Sequence, residues 1–186
     1  MSVYSNTGIS LSQSYYLRSY YKRNKDLCKT GKRSEYPNTQ LSYEDGRALR
    51  RAAKNLSSYE YSDSENKTNI SNSILAYVDT YNNTIDSAKR SSDYSISHYS
   101  KQLKKLAKDH SEEFAAVGIT VNSDGSMKAN ENLVKKASVA KLKKLFGADG
   151  DLTKTTDNYA KKVANKSYDN IYSQITGSGQ EINITL

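Results

Sequence analysis

The chain has 186 residues, enough for one domain or one domain with tails, and its 28 Lys and Arg against 20 Asp and Glu leave a net charge of +8 that admits anionic partners. Leu, Ile, Val and Phe together make up about 18% of the residues, just under the roughly 20% below which disorder becomes a serious prospect, so a wide globular core is excluded. The 16 Tyr supply much of the missing apolar area, because a Tyr ring can lie in a narrow seam while its hydroxyl reaches water.

Residues 1–40 read as a tail. Met1 to Gln13 is small and polar, with no positively charged stretch leading into an apolar one. No run of roughly 18 apolar residues occurs anywhere, so the expectation is a chain with neither a cleaved secretory signal nor a transmembrane segment. Tyr15, Tyr16, Tyr20 and Tyr21, with Leu17 and Arg18, form an aromatic and basic stripe. Such a stripe either docks its rings on a larger helix or stacks on exposed bases of single-stranded nucleic acid. Lys22 to Gln40 reads as a basic loop, and Cys28 within it is solitary, which rules out an intramolecular disulfide.

Ser42, with Asp45 three residues on, resembles a capping box and opens a predicted helix with Leu49, Ala52, Ala53, Leu56 and Tyr59 on one face. Gly46 weakens its first turn by up to about 1 kcal/mol relative to Ala. Ser62 to Asn66 is a polar break. Beyond it, Ile74, Val78, Tyr81, Ile85, Ala88 and Ser92, then Ile96, Tyr99, Leu103, Leu106 and His110, then Phe114 and Val117, keep steps of three and four. This is the rhythm of helices packed along their length, and the extra steps of four are stutters. The pattern predicts about 50 residues of one helix, roughly 75 Å long at 1.5 Å per residue.

Gly118 ends that seam. Ile119 to Val121 followed by Asn122, Ser123, Asp124 and Gly125 reads as a strand entering a tight turn. Asn130 can cap a helix holding Leu133, Val134 and Ala137, and a second short piece carries Val139, Leu142, Leu145 and Phe146 up to Gly147. Lys135, Lys136, Lys141, Lys143 and Lys144 ride these two pieces, either as a solvated face or as a basic amphipathic surface for an anionic membrane. Asp151 caps a last helix with Leu152, Tyr159, Val163, Tyr168, Ile171, Tyr172 and Ile175, expected to return along the long one and to stop at Gly177.

Catalytic chemistry has little to stand on. His98 and His110 have no zinc-protease, nucleophile-elbow or paired-cysteine pattern around them. Asn122, Asp124, Gly125 and Glu131 match four positions of a calcium loop, but Thr120 stands where its first Asp belongs and Lys128 adds a positive charge. The expectation is therefore a protein that is not an enzyme, with no metal and no cofactor.

The order Tyr77-Val78-Asp79-Thr80-Tyr81-Asn82, Val117-Gly118-Ile119, Asp124-Gly125-Ser126-Met127, Asn130 to Leu133 and Leu145-Phe146-Gly147 resembles the C-terminal helical region of the flagellar capping protein family. This family, FliD, is also called flagellar hook-associated protein 2, and the resemblance covers roughly residues 41–150. Met127 stands where the family usually has leucine, and lysines replace acids around Val139. What the resemblance implies is a structural or interaction module located at the bacterial flagellum or outside the cell, working by helix-mediated binding or self-assembly. The alternative reading is a cytoplasmic, basic, Tyr-rich helical protein that binds nucleic acid.

The fold expected is mainly α, an elongated antiparallel helical bundle or coiled-coil-like rod with one small β-hairpin. The rod domain spans 41–176, with the hairpin near 118–129, and a tail covers 177–186. The interaction seam is Tyr77, Val78, Tyr81, Ile85, Tyr99, Leu103 and Leu106, serving either a partner helix of the same chain or another chain. A protein partner or a second copy is the expected ligand, ahead of nucleic acid.

Overall fold

The computed structural model describes residues 33–61 and 67–177. The Tyr15 to Tyr21 stripe, Cys28, the break at 62–66 and the tail after Gly177 lie outside the described residues. A single 3-10 turn, Arg33–Glu35, leads to Pro37, whose fixed φ of −57° and missing N–H suit the start of a helix. From there α1, Asn38–Ser58, buries Leu41, Leu49, Ala53 and Leu56 on one stripe. α2, Lys67–Lys89, buries Ile70, Ile74, Tyr77, Val78, Tyr81, Ile85 and Ala88. The chain then reverses over Arg90 to Asp93 into α3, Tyr94–Asp109.

A short α4, Ser111–Ala115, leads through Gly118 to strands β1, Ile119–Val121, and β2, Met127–Ala129. The strands pair antiparallel with Thr120 opposite Lys128. α5, Glu131–Lys136, begins on the Asn130 cap, and α6, Val139–Phe146, begins on Ser138. α7, Asp151–Gly177, closes the fold.

Contacts at the two ends of each neighbouring pair set the helix directions. Tyr59 meets Ser73 while Asn38 reaches Arg90, so α1 and α2 are antiparallel. Tyr81 meets Leu103 and Ser100 meets Ile85, which turns α3 back along α2. Tyr99 stacks on Tyr159 while Asp93 holds Asn170, so α7 runs against α3. Arg50 pairs with Asp157 and Tyr43 touches Tyr168, so α7 also runs against α1. The result is an up-down-up-down helical bundle, with the hairpin and three short helices inserted between its third and fourth members. One core cluster joins all of these elements; Ala88, Ile96 and Val163 form a smaller one at the end where α2 turns into α3. Among the described residues no helix is long and apolar enough to cross a membrane.

The mainly helical bundle and the single hairpin agree with the sequence reading, but three local expectations are corrected. The long helix is two antiparallel helices rather than one. Asp93 ends the continuous seam by accepting the backbone N–H groups of Ser95 at 2.8 Å and Ile96 at 3.3 Å, which is an N-cap and restarts the helix in a new direction. The longest helix among the described residues is therefore α7, whose 27 residues span about 40 Å, not the roughly 75 Å expected. Ser42 and Asp45 form no capping box, since the helix already begins at Asn38; Asp45 is buried and takes a two-pronged grip from Arg33 at 2.8 and 2.6 Å. The basic loop likewise ends before Gln40, which lies inside α1.

Candidate interaction site

The hairpin is held to the bundle by side chains of α2. The Asn82 amide donates to the carbonyl of Met127 and its oxygen accepts the Met127 N–H, each at 2.8 Å. One side chain thus reproduces the paired bonds that a neighbouring strand would offer β2. From the preceding residue of α2, the Tyr81 hydroxyl reaches the carbonyl of Gly125 at 2.8 Å, with the carbonyl of Leu103 at 3.3 Å as a second acceptor. Tyr81 is 1% exposed, and burial, followed by the nearby Tyr77 and Asp124, pushes its hydroxyl far above the ordinary tyrosine range, so it acts as a donor.

Two glycines make this close approach possible. Gly118 has φ +85°, and a Cβ there would fall 2.4 Å from the Cβ of Leu133. Gly125 has φ +84°, and its Cβ would meet the Lys104 stem at 2.8 Å. Both positions need a left-handed backbone with no side chain. The Asn130 N–H donates to the carbonyl of Gly118 at 2.9 Å and ties the hairpin's exit to its entrance. One turn back along the same face of α2, Tyr77 stacks on Tyr81 at 6.4 Å, and Phe146 sets its ring edge-on to Tyr77 at 5.7 Å. The Tyr77 hydroxyl shares a 3.0 Å hydrogen bond with Thr156, and burial raises its pKa to about 12 against the lowering effect of that bond.

The seam residues are now placed. Tyr77, Val78, Tyr81, Ile85 and Leu103 are buried in the main core, and Leu106 is half-buried against it. Tyr99 is half-buried against the smaller cluster. Of the two uses the sequence left open for this seam, the fold takes the intramolecular one, because the seam faces other helices of the same chain. It is not an exposed surface waiting for a second copy.

Three of the residues that matched a calcium loop, Asn122, Asp124 and Glu131, are engaged by neighbouring side chains. Asp124 accepts both the N–H and the hydroxyl of Ser126, at 2.9 and 2.7 Å, and these two bonds, in the order hydroxyl then N–H, hold its carboxyl below the usual range. Asn122 donates to the Ser126 hydroxyl, and Glu131 pairs with Lys135. His98 lies exposed beside Tyr94, and His110 is 3.9 Å from Glu113. Among the described residues no three His, Cys, Asp or Glu side chains gather as metal ligands would.

Positive charge gathers on the two short helices α5 and α6 and on α1. Lys135, Lys136, Lys141, Lys143 and Lys144 point outward from α5 and α6, where Lys141 and Lys144 flank a small hollow of about 170 Å³ floored by Ala116 and Leu145. A second cleft, of about 220 Å³, is lined by Arg47, Arg50, Arg51 and Lys54 of α1. Sequence reasoning passed over this second group, although the spacing i, i+3, i+4, i+7 in Arg47 to Lys54 puts four cations on one helical face. It also passed over Asn82 as a docking residue, because nothing local marks an asparagine as the partner of a strand 45 residues away. No protein-family model matches the chain, and neither does any curated protein or any solved structure.

Proposed function

We propose that this protein is a structural interaction module of the flagellar hook-associated, filament-cap type, acting at the flagellum or outside the cell by binding protein and without catalysis. The observation that carries the reading is a convergence. The residues through which the chain resembles that family, scattered from Tyr77 to Gly147, meet at one junction: Tyr81 on Gly125, Asn82 on Met127, Gly118 against Leu133, and Phe146 against Tyr77. A short motif match can arise by chance, whereas residues that support one another across the fold behave as a unit. The unit presents the tip of the hairpin, Asn122 to Asp124, to solvent.

The test is binding of the full chain to purified axial proteins of the flagellum, followed by biolayer interferometry. The expected result is saturable binding that weakens in an Asn82→Ala variant whose helical content is unchanged. Absence of binding to every axial protein, together with unchanged motility and filament growth on loss of the gene, would overturn the reading. A chain that instead shifts oligonucleotides through its N-terminal Tyr and Arg residues would favour the nucleic-acid alternative.

A further inference from the structure

A second surface runs along the line where α3 and α7 pack together. On α3, Tyr94, His98, Lys101 and Lys105 follow one another at i, i+4, i+7 and i+11, so they share one stripe about 16 Å long. On α7, running the opposite way, Tyr159, Lys162, Lys166 and Asn170 form the facing stripe. Between them the rings make a continuous ladder. Tyr94 stacks on His98 at 6.2 Å, His98 meets Tyr99 edge-on at 5.7 Å, and Tyr99 stacks on Tyr159 at 6.5 Å. The Lys162 ammonium sits 5.4 Å from the Tyr99 ring centre and 5.6 Å from that of Tyr159.

The charges along the ladder do not cancel. Asp109 pairs with Lys105, and Asp93, which caps α3 and holds Asn170, is 4.0 Å from Lys166. Lys101 and Lys162 have no acidic partner among the described residues. Tyr94 is 79% exposed, the largest exposure of any large apolar side chain described, and its outer face, away from His98, is open.

We propose that this strip binds single-stranded nucleic acid, with Tyr94 as the stacking platform and Lys101 and Lys162, the two lysines without an acidic partner, as the phosphate contacts. Aromatic rings interleaved with cations along one surface are what sequence-tolerant single-strand binding requires, since every base has a face to stack and every linkage a phosphate. An acidic protein segment would satisfy the lysines and leave Tyr94 unused. The inference is independent of the protein-binding reading, which rests on the hairpin junction.

The experiment is fluorescence anisotropy of the full chain with a labelled oligothymidylate of about 15 nucleotides, near the upper end of single-strand site sizes. Two phosphate contacts predict a slope of log affinity against log salt of about −1.4. Tyr94→Ala should weaken binding about 5-fold or more, while Tyr94→Phe keeps it. Neither variant should alter the affinity for heparin, which has the charge but no bases. Tyr94 is the first residue of α3 and exposed, so both variants are expected to keep the fold, and circular dichroism checks that. Three results would overturn the proposal: no binding by the unaltered chain, an oligonucleotide affinity indifferent to Tyr94→Ala, or polyglutamate binding as tightly as the oligonucleotide.

Discussion

The side chain of Asn82 holds both backbone groups of Met127, donating to its carbonyl and accepting its N–H at 2.8 Å each. A two-stranded hairpin is marginal by itself in water, and here a helix takes the place of the third strand. Replacing Asn82 with Ala leaves the Met127 N–H without that partner at a half-buried position. The expected cost is about 1–3 kcal/mol, read in urea denaturation, with amide exchange at Met127 accelerating more than in the middle of α1. Uniform exchange changes across the chain would mean the hairpin is not docked through this residue.

Ile85 is 5% exposed and faces α3. Ile85→Asp places an unpaired charge in the core and is expected to lower stability by several kcal/mol, abolishing the helical circular dichroism signal. Sedimentation distinguishes this from an intermolecular role, in which the variant would remain helical and lose only association.

Gly46 lies where α1 packs closely on α7; a Cβ there would stand 3.0 Å from the carbonyl of Ala160 and 3.2 Å from the Cβ of Ala164. Its cost to helix propensity is offset by that close packing of backbones. Gly46→Val forces the two helices apart and should destabilise by about 1–3 kcal/mol. Thermal unfolding checks it, and an unchanged midpoint would show that the contact is soft.

Asp93 is subject to burial, which raises its pKa, but the Asn170 amide, the Ile96 and Ser95 backbone N–H groups and Lys166 together outweigh it and hold the carboxyl below its usual range. A carboxylate whose folded pKa is depressed contributes stability that is complete above the unfolded value of about 3.9 and is lost as pH falls through the folded value. Asp93→Ala should therefore cost about 1 kcal/mol at neutral pH, the usual worth of an N-cap. The gap between variant and parent should narrow in acid, as measured by urea midpoints across that range; a constant gap would show that the charge is not what matters.

The Asn130 cap, the hairpin from Ile119 to Ala129 and the apolar stripes of α1, α2 and α7 were legible in the sequence, because each depends on residues within a turn or two of one another. The reversal at Arg90 to Asp93 was not. Ser92 and Ile96 keep the same spacing as the seam on either side, and no Gly or Pro interrupts it. Whether the helix continues there depends on the Asp93 carboxylate taking the N–H groups of Ser95 and Ile96, and on Asn170 and Lys166 of α7 being present to hold it. In the same way, periodicity identified Tyr77, Val78, Tyr81 and Ile85 as a surface to be covered but could not say by what. Apolar spacing is a property of one helix, whereas the partner that covers it is chosen by how the chain closes on itself. Here Thr156, Leu103, Gly125 and Phe146, which lie between 22 and 79 residues from the tyrosines they meet, make that choice.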